Sequence, residues 1–271
     1  ALVPAAGNVI CSTNLLSGEI LRIKLEHPPV GTPQPFTTKD GSRLGVATKS
    51  GVEIFKLDDG KQVHMVSLPA ANSATGSDCD GETLFSARDD GVLCAITAAT
   101  ALSKWQMKLS ASILGAIACR SGGKGFVAAA TANGRVTALA SNDHAELWSQ
   151  DVGGPCPLGV IDSKSGLLCV RQDGMLQLLK SEDGKIAWSA QLPGAAAVLP
   201  AVLRDPASQA ETNVAVIVLD KDNAAWLVLT AMDGKIRWQS RLSQQPVALS
   251  AHLNRIFVSS VNGDVMAFDV K

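Results

Sequence analysis

Short stretches of alternating apolar and polar residues recur along the chain, and most of them follow a glycine. Examples are GVEIFKL from Gly51, GRVTALA from Gly134 and GMLQLLK from Gly174. A period of two residues indicates a β-strand rather than a helix. Asp-Gly or Asn-Gly pairs stand beside many of these stretches, and such pairs supply the positive φ angles of tight two-residue hairpins. The pattern therefore predicts short antiparallel strands joined by hairpins.

A longer phrase repeats as well, and it ends in tryptophan. The copies TALSKWQMKL, DHAELWSQDV, DGKIAWSAQL and DGKIRWQSRL contain Trp105, Trp148, Trp188 and Trp238, at spacings of 43, 40 and 50 residues. A fifth copy, DDGKQVHMVSL, has His64 where the others have tryptophan. Upstream of each phrase lie a strand led by glycine in all copies but NAAWLVLT from Asn223, a strand rich in small and β-branched residues, and a short piece rich in proline or alanine. We count seven such units of about 41 residues each.

Repeated units of four short strands, here named A to D, predict an all-β fold, a seven-bladed β-propeller of four-stranded antiparallel blades. Trp105, Trp148, Trp188, Trp238 and His64 are expected to pack between neighbouring blades, with ligand stacking by the tryptophans as the alternative. The last unit ends after strand C, so its blade lacks strand D or borrows one. The stretch Leu203–Asn213 is expected to form an exposed loop in the sixth unit.

Composition narrows the class of protein. Apolar residues make up 46% of the 271 residues and charged residues 18%, with a net charge of −1. These values are typical of a folded domain and predict neither nucleic-acid binding nor membrane insertion. The six cysteines form no CxxC pair and lie mostly in apolar contexts, which favours free thiols in a cytoplasmic protein, with one or two disulfides as the alternative. Residues 1–271 are expected to form a single propeller domain. Because the sequence does not begin with Met, we expect a domain excised from a longer chain, with a processed protein as the alternative.

The D-G-K-x-x-W phrase at this period resembles the pyrroloquinoline-quinone-like repeat family. Its members include quinoprotein dehydrogenases, bacterial outer-membrane assembly propellers and a propeller at the C-terminus of certain acyl-adenylating enzymes. This chain resembles the last group most, because the penultimate unit carries a polar insertion and the chain ends after NGDVMAFDV. It departs from that group in lacking a recurring S-S-P on strand A. The resemblance implies a propeller but no specific activity.

The sequence contains no pattern that predicts catalysis, so no enzyme activity, cofactor or metal is expected. A quinone site would need acidic ligands that the strand A segments lack. The stretch SDCDGET at Ser77–Thr83 does not have the spacing of a Ca²⁺ loop, and RSGGKGF at Arg120–Phe126 does not have that of a phosphate loop. The stretch LDKDNA at Leu219–Ala224 likewise lacks the spacing of a Ca²⁺ loop.

Protein binding remains as the predicted function. The candidate residues lie in the hairpins between strands B and C: Arg88, Asp90, Asn133, Arg171, Asp173, Asp220, Asp222 and Asn262. Mixed charge on loops suits a protein or peptide partner, or another domain of the same chain. Three hypotheses follow: a non-catalytic scaffold, an accessory domain of an adenylate-forming enzyme, and a quinone-dependent dehydrogenase. The first is preferred because the repeat is well formed and no reactive constellation accompanies it.

Overall fold

The structure is a computed structural model that describes residues 2–5, 8–13, 20–29, 33–48, 50–67, 74–79, 83–120 and 125–270. All regular elements in those ranges are β-strands, which confirms the prediction of an all-β fold. The described strands form seven antiparallel sheets. The chain divides into two compact units, residues 1–149 and 150–271.

Unit 1 contains four sheets that follow one another along the chain. Sheet 1 consists of β1 (Leu2–Ala5), β2 (Val9–Thr13) and β3 (Ile20–Lys24). Sheet 2 consists of β4 (Gln34–Thr38), β5 (Gly41–Thr48), β6 (Gly51–Lys56) and β7 (Gln62–Ser67). Sheet 3 consists of β8 (Ala74–Cys79), β9 (Thr83–Arg88), β10 (Val92–Thr97) and β11 (Ser103–Lys108). Sheet 4 consists of β12 (Ile113–Arg120), β13 (Phe126–Thr131), β14 (Arg135–Ala140) and β15 (Glu146–Asp151), and β15 runs across the division between the units.

Unit 2 contains three sheets. Sheet 5 consists of β16 (Val160–Ser163), β17 (Gly166–Val170), β18 (Met175–Leu179) and β19 (Ile186–Gln191). Sheet 6 consists of β20 (Ala195–Ala196), β21 (Ala201–Arg204), β22 (Glu211–Leu219), β23 (Ala225–Ala231) and β24 (Ile236–Arg241). Both β20 and β21 pair with β22, so together they take the place of a first strand, and β22, β23 and β24 correspond to the second, third and fourth strands of the other sheets. Sheet 7 consists of β25 (Pro246–His252), β26 (Arg255–Ser260) and β27 (Val265–Asp269).

The apolar cores lie between successive sheets. In unit 1, Leu44 and Phe55 of sheet 2 pack with Ile10 and Ile23 of sheet 1, and similar clusters join sheet 2 to sheet 3 and sheet 3 to sheet 4. In unit 2, one cluster joins sheet 5 to sheet 6 and another joins sheet 6 to sheet 7. Sheets 2, 3 and 6 thus bury both faces within their own unit, which explains why a central strand such as β9 is buried at every position.

The repeated Asp-Gly-Lys turn is held by its own side chains. Asp183 Oδ1 accepts a hydrogen bond from the backbone N–H of Lys185 at 3.0 Å, and the Lys185 ammonium lies 2.9 Å from the other carboxylate oxygen. Asp59 and Asp233 make the equivalent backbone bonds, to Lys61 and Lys235. These bonds lower the pKa of each aspartate. The most recognisable part of the repeat is therefore a structural turn.

The aromatic residue at the end of the phrase contacts the next sheet. Trp105 is buried on β11, and its indole N–H donates to the Ser141 carbonyl in sheet 4 at 3.1 Å. His64 on β7 makes an equivalent contact, with Nε2 3.2 Å from the Ala99 carbonyl in sheet 3. In these pairs, the fourth strand of one sheet is fixed to the turn between the third and fourth strands of the next.

Trp188 and Trp238, the tryptophans of the repeated phrase in unit 2, also contact the next sheet. A Cβ at Gly234 in sheet 6 would lie 2.7 Å from the Trp188 ring of sheet 5, so the indole rests directly on the glycine of the next turn. Trp238 packs against the cluster between sheets 6 and 7. Trp148 on β15 is buried. All five aromatic positions thus lie on the fourth strand of a sheet, where the sequence places them.

The sequence predicts four strands in every blade except the last. Sheet 1 differs from this prediction, because it has three strands among the described residues. After β3, the backbone N–H groups of Glu26 and His27 donate to the buried Glu53 carboxylate of β6, at 3.1 and 3.2 Å. Pro28 and Pro29 come next and have no N–H to donate to a sheet. The segment after β3 is therefore tied to the next sheet and does not extend its own.

Sheets 6 and 7 also modify the pattern. Within Leu203–Asn213, predicted as one exposed loop, only the middle is a loop: Leu203 is fully buried in β21, and residues 211–213 begin β22. The prediction was wrong at both ends because this hairpin continues the sheet further than its polar sequence indicates. Sheet 7 has three strands among the described residues, as expected for the last unit. The number of blades in a closed ring stays a prediction.

Candidate functional site

The residues predicted to bind a partner all lie at hairpins between the second and third strands of a sheet. They are Arg88 and Asp90 in sheet 3, Asn133 in sheet 4, Arg171 and Asp173 in sheet 5, Asp220 and Asp222 in sheet 6, and Asn262 in sheet 7. Because neighbouring strands are antiparallel, the loop that leads into the first strand of a sheet lies at the same end as this hairpin. Hairpins and incoming loops together form what we call the hairpin rim of each unit.

The rim of unit 1 is continuous from sheet 3 to sheet 4. The backbone N–H of Leu109 donates to the Gly91 carbonyl at 2.8 Å, and the N–H of Ala132 donates to the Ser112 carbonyl at 2.8 Å. The Asn133 side-chain amide also donates to the Ser110 hydroxyl at 3.0 Å. The connecting loop, residues 109–112, therefore touches both hairpins and fixes their spacing.

The rim of unit 2 is built in the same way. The N–H of Leu192 donates to the Gly174 carbonyl at 3.0 Å, and the N–H of Leu242 donates to the Ala225 carbonyl at 2.8 Å. Gly194 approaches sheet 6 so closely that a Cβ there would lie 2.1 Å from the Leu219 carbonyl oxygen. Further along, the N–H of Val261 donates to the Gln245 carbonyl at 3.0 Å. Three hairpins and two loops are thus joined by backbone contacts.

Two hairpins of the rim carry an internal ion pair. Arg88 Nη2 lies 2.6 Å from Asp90 Oδ2, and Asp90 Oδ1 accepts a hydrogen bond from the N–H of Val92 at 3.1 Å. Arg171 pairs with both carboxylate oxygens of Asp173. Arg171 also donates to the Val152 carbonyl at 3.2 Å, so it ties the incoming loop to the hairpin.

Asp220 organises the hairpin of sheet 6. Its carboxylate accepts hydrogen bonds from the Trp226 indole at 2.8 Å and from the N–H groups of Asp222 and Ala224, each at 2.9 Å. The indole bond, followed by the bond from Ala224, lowers the pKa of Asp220. Asp220 is therefore a structural acceptor in this hairpin.

The predicted residues divide by exposure into two groups. The Arg88 side chain is only 6% exposed, whereas the Asp173 side chain is 51% exposed. Asn133, Asp222 and Asn262 are exposed at the tips of their hairpins. The structure thus makes Arg88 a support for its hairpin and leaves the tip residues facing solvent. Burial of Arg88 follows from sheet packing, which a hairpin sequence alone does not report.

Two cavities lie on the rim of unit 2, and residues of the incoming loops line them. One of about 300 Å³ is lined by Gly153, Gly154, Pro155, Arg171, Gln172 and Asp173. The other, of about 270 Å³, lies where Arg241 and residues 242–245 face the hairpin of sheet 6. None of the predicted site residues lies in these loops, although the run Val-Gly-Gly-Pro at Val152–Pro155 signals a loop between strands.

The other stretches considered for chemistry contribute no reactive cluster. Among the residues that the structure describes, no three histidine, cysteine, aspartate or glutamate side chains are grouped as metal ligands would be. The centre of SDCDGET (residues 80–82) and of RSGGKGF (residues 121–124) lies outside the described residues. In the described part of the chain, no helix is long and apolar enough to cross a membrane.

The sequence matches one family model over most of its length. This PQQ-like repeat model, described as outer membrane protein assembly factor BamB, matches residues 48–156 and 104–271. The chain belongs to this family. The predicted resemblance to the pyrroloquinoline-quinone-like repeat is therefore confirmed, whereas the closer link to acyl-adenylating enzymes stays a prediction. Among curated proteins, none matches this chain.

Solved structures support the propeller fold. BamB from Moraxella catarrhalis is similar with a TM-score of 0.69 and 17% sequence identity, over 99% of this chain and 81% of that one. BBS1N, in complex with ARL6DN, is similar with a TM-score of 0.79 and 11% identity, over 100% of this chain and 87% of that one. The same complex appears in crystals soaked with lead and with mercury. At these identities, the similarity shows a common fold.

Proposed function

We propose that this BamB-family chain is a non-catalytic scaffold that binds a protein partner through its hairpin rim during the assembly of outer membrane proteins. The observation that carries the proposal is the hairpin rim of each unit. Within a unit, backbone hydrogen bonds fix hairpins and loops to one another, while Asn133 in unit 1 and Asp222 and Asn262 in unit 2 face solvent. A rigid frame that presents exposed polar loops is suited to recognising another protein.

The comparisons support the choice of a protein as partner. The matching family is described as an assembly factor for outer membrane proteins, and BBS1N of similar fold was crystallised in complex with ARL6DN. The mixed charge of the rim agrees with such a partner, since opposed charges set orientation and association rate more than affinity. The absence of enzyme activity is part of the proposal.

Cellular location separates this proposal from the sequence-based prediction of a cytoplasmic protein. A role in outer membrane assembly places the chain in the cell envelope, whereas the cysteine pattern favours the cytoplasm. Fractionation of cells that produce the natural protein distinguishes the two. An accessory role in an adenylate-forming enzyme would instead require an adenylation domain in the same polypeptide.

Site-specific photo-crosslinking tests the proposed surface. A benzophenone amino acid is introduced in turn at Asn133, Asp222 and Asn262, and the cells are irradiated. We expect each rim position to form an adduct with a component of the outer membrane assembly machinery, identified by mass spectrometry. The expectation rests on exposure of these side chains and on their place at the hairpin tips.

Matched controls come from the opposite ends of the sheets. Lys61, Lys185 and Lys235 are exposed in the turns between third and fourth strands, so they test whether any exposed position suffices. Adducts of equal yield from these turns would contradict a rim-specific interface. So would the absence of adducts at all three rim positions in cells where the protein is required for normal levels of outer membrane proteins.

A further inference from the structure

Two buried cysteines of unit 2 lie on segments that run side by side. Cys156 is in the loop that leads into sheet 5, and Cys169 is on β17 of the same sheet. Each is only 1% exposed, and each thiol is the main influence on the pKa of the other. Both are free thiols, as are Cys11, Cys94 and Cys119. A buried thiol in an apolar core needs no second thiol as neighbour, so this pairing calls for a chemical explanation.

The loop that carries Cys156 is held in position beside β17. Arg171 donates to the Val152 carbonyl at 3.2 Å, and the N–H of Gln172 donates to the Pro155 carbonyl at 2.9 Å. The Cys156 thiol itself lies 3.9 Å from the Gly154 carbonyl oxygen. These contacts come from residues that directly flank both cysteines. Local structure therefore fixes the two segments that carry the cysteines next to each other before any bond forms between the thiols.

A route for a reagent lies next to the pair. The cavity of about 300 Å³ on the rim is lined by Gly153, Gly154 and Pro155 on one side and by Arg171, Gln172 and Asp173 on the other. Both wall segments adjoin the cysteines in sequence, since Pro155 precedes Cys156 and Arg171 follows Cys169 by two positions. A small opening of the loop at Gly153–Pro155 would expose the thiols to a molecule in this cavity.

The two thiols are electrostatically different. The hydrogen bond from Cys169, assisted by the nearby Arg171 charge, lowers the pKa of Cys156. The same hydrogen bond together with burial raises the pKa of Cys169 well above its ordinary value. As the pH rises, Cys156 is therefore deprotonated to a thiolate before Cys169 is. An attacking thiol paired with a resolving thiol has this asymmetry.

We propose that Cys156 and Cys169 form a reversible disulfide by exchange with a disulfide oxidant, which locks the incoming loop of sheet 5 to β17. The Cys156 thiolate attacks one sulfur of an R–S–S–R oxidant and releases RS⁻, giving a mixed disulfide. Cys169 then loses its proton to solvent and attacks Cys156 Sγ, releasing the second RS⁻. Two protein thiols become one disulfide, and the oxidant becomes two thiols. This step does not depend on the proposed function.

Tryptic digestion separates the two cysteines cleanly, which permits a direct test. Cleavage after Arg135, Lys164 and Arg171 yields peptides 136–164 and 165–171, each with one cysteine. The folded protein is incubated with oxidised glutathione, its remaining thiols are alkylated, and it is digested without reduction. We expect these two peptides as one linked species, lighter than their sum by two hydrogen atoms and separated again by dithiothreitol. The oxidised protein should also unfold several degrees higher.

Single variants test the order of attack. In Cys169→Ser, we expect the reaction to stop at a glutathione adduct on Cys156, whereas Cys156→Ser should accumulate far less adduct at Cys169. Cys94→Ser is the matched control, since Cys94 is a buried thiol beside Arg88, and it should leave the linked species unchanged. If the unmodified folded protein keeps both cysteines alkylatable after oxidation and unfolding, or links either to another cysteine, the proposal is overturned.

Discussion

The hairpins that begin at Arg88 and at Arg171 share the sequence Arg-x-Asp-Gly and the same backbone frame. In both, the glycine N–H donates to the arginine carbonyl, at 3.0 and 2.9 Å, and the glycine carbonyl accepts from a leucine N–H. Their side chains differ in surroundings. Arg88 is 6% exposed and pairs with Asp90 of its own hairpin, whereas Arg171 is 21% exposed and also reaches the Val152 carbonyl of the incoming loop.

The difference arises from the residues across the strand pair. In sheet 3, Cys94 on the third strand stands opposite Ser86, and in sheet 5, Cys169 on the second strand stands opposite Gln177. The cysteine near the hairpin is therefore on the third strand in sheet 3 and on the second strand in sheet 5, where it lies beside the loop that contains Cys156. The same backbone conformation can therefore hold a buried arginine, as at Arg88, or an arginine that hydrogen-bonds to a neighbouring loop, as at Arg171.

Alanine at the shared glycine should produce the largest effect and should affect both hairpins equally. Gly91 and Gly174 have φ of 87° and 83°, and a Cβ at either would lie 2.5 Å from a carbonyl oxygen, of Ala111 and of Gly194 respectively. We expect Gly91→Ala and Gly174→Ala each to lower the free energy of unfolding by about 2–4 kcal/mol, measured by urea denaturation.

Gly263 provides the control for that experiment. Its φ is 85°, but a Cβ there would meet nothing within 4 Å. Gly263→Ala should therefore cost only the backbone strain, about 1–2 kcal/mol. Equal losses at Gly263 and Gly174 would show that the close approach of the loop contributes nothing.

The next largest effect is expected from Arg88→Ala. The substitution leaves the Asp90 carboxylate, 24% exposed, without its cation and empties the space of a buried side chain. We expect the free energy of unfolding to fall by about 2–3 kcal/mol, because removing one partner of a largely buried pair leaves an uncompensated charge. Asp90→Asn is the informative companion variant. A denaturation midpoint unchanged in Arg88→Ala would mean that the pair adds no stability.

Arg171→Ala should have a smaller effect on stability and a more local one on structure. Its ion pair with Asp173 is largely exposed, so we expect a loss of about 1 kcal/mol. The lost bond to the Val152 carbonyl should free the incoming loop. Hydrogen exchange measured by mass spectrometry should therefore accelerate in residues 152–156 and at Gln172, and Arg88→Ala should leave this exchange unchanged. Acceleration in both variants would indicate general destabilisation instead.

Sequence reasoning predicted what depends on local chemistry. The Asp-Gly pairs gave the hairpins, the alternation gave the strands, and the phrase ending in tryptophan gave the position of Trp105 and Trp188 on fourth strands. These features are local because a turn and its flanking strands are specified within about ten residues. Pro28 and Pro29 carry a local signal that the prediction of four strands in the first unit did not use, since two successive residues without N–H groups disfavour a further strand after β3.

Features that depend on packing between segments were not predicted. The burial of Arg88, the bond from Arg171 to Val152 and the contact of Cys156 with Cys169 each join segments whose mutual position no local pattern records. The sequence placed all eight candidate residues at hairpins between strands B and C, and they lie at such hairpins in the structure. Their exposure, which the sequence did not predict, divides them into supports and tips. Whether the tips bind a partner stays a prediction.

The smallest effect on stability is expected when the pH is lowered and Asp173 is protonated. Partial desolvation raises the pKa of Asp173, but the hydrogen bond from Arg171, together with that from the Met175 N–H, outweighs it, so the pKa of Asp173 is lowered in the folded protein. A carboxylate whose folded pKa lies below its unfolded value stabilises the fold above the unfolded value, about 3.9, and loses this contribution as pH falls through the folded pKa. The unfolding temperature of the unmodified protein should exceed that of Asp173→Asn at pH 6, and the difference should shrink below about pH 4. A difference that stays constant from pH 6 to pH 3 would show that Asp173 stabilises its hairpin by packing alone, and the two Arg-x-Asp-Gly hairpins would then differ less than their exposures indicate.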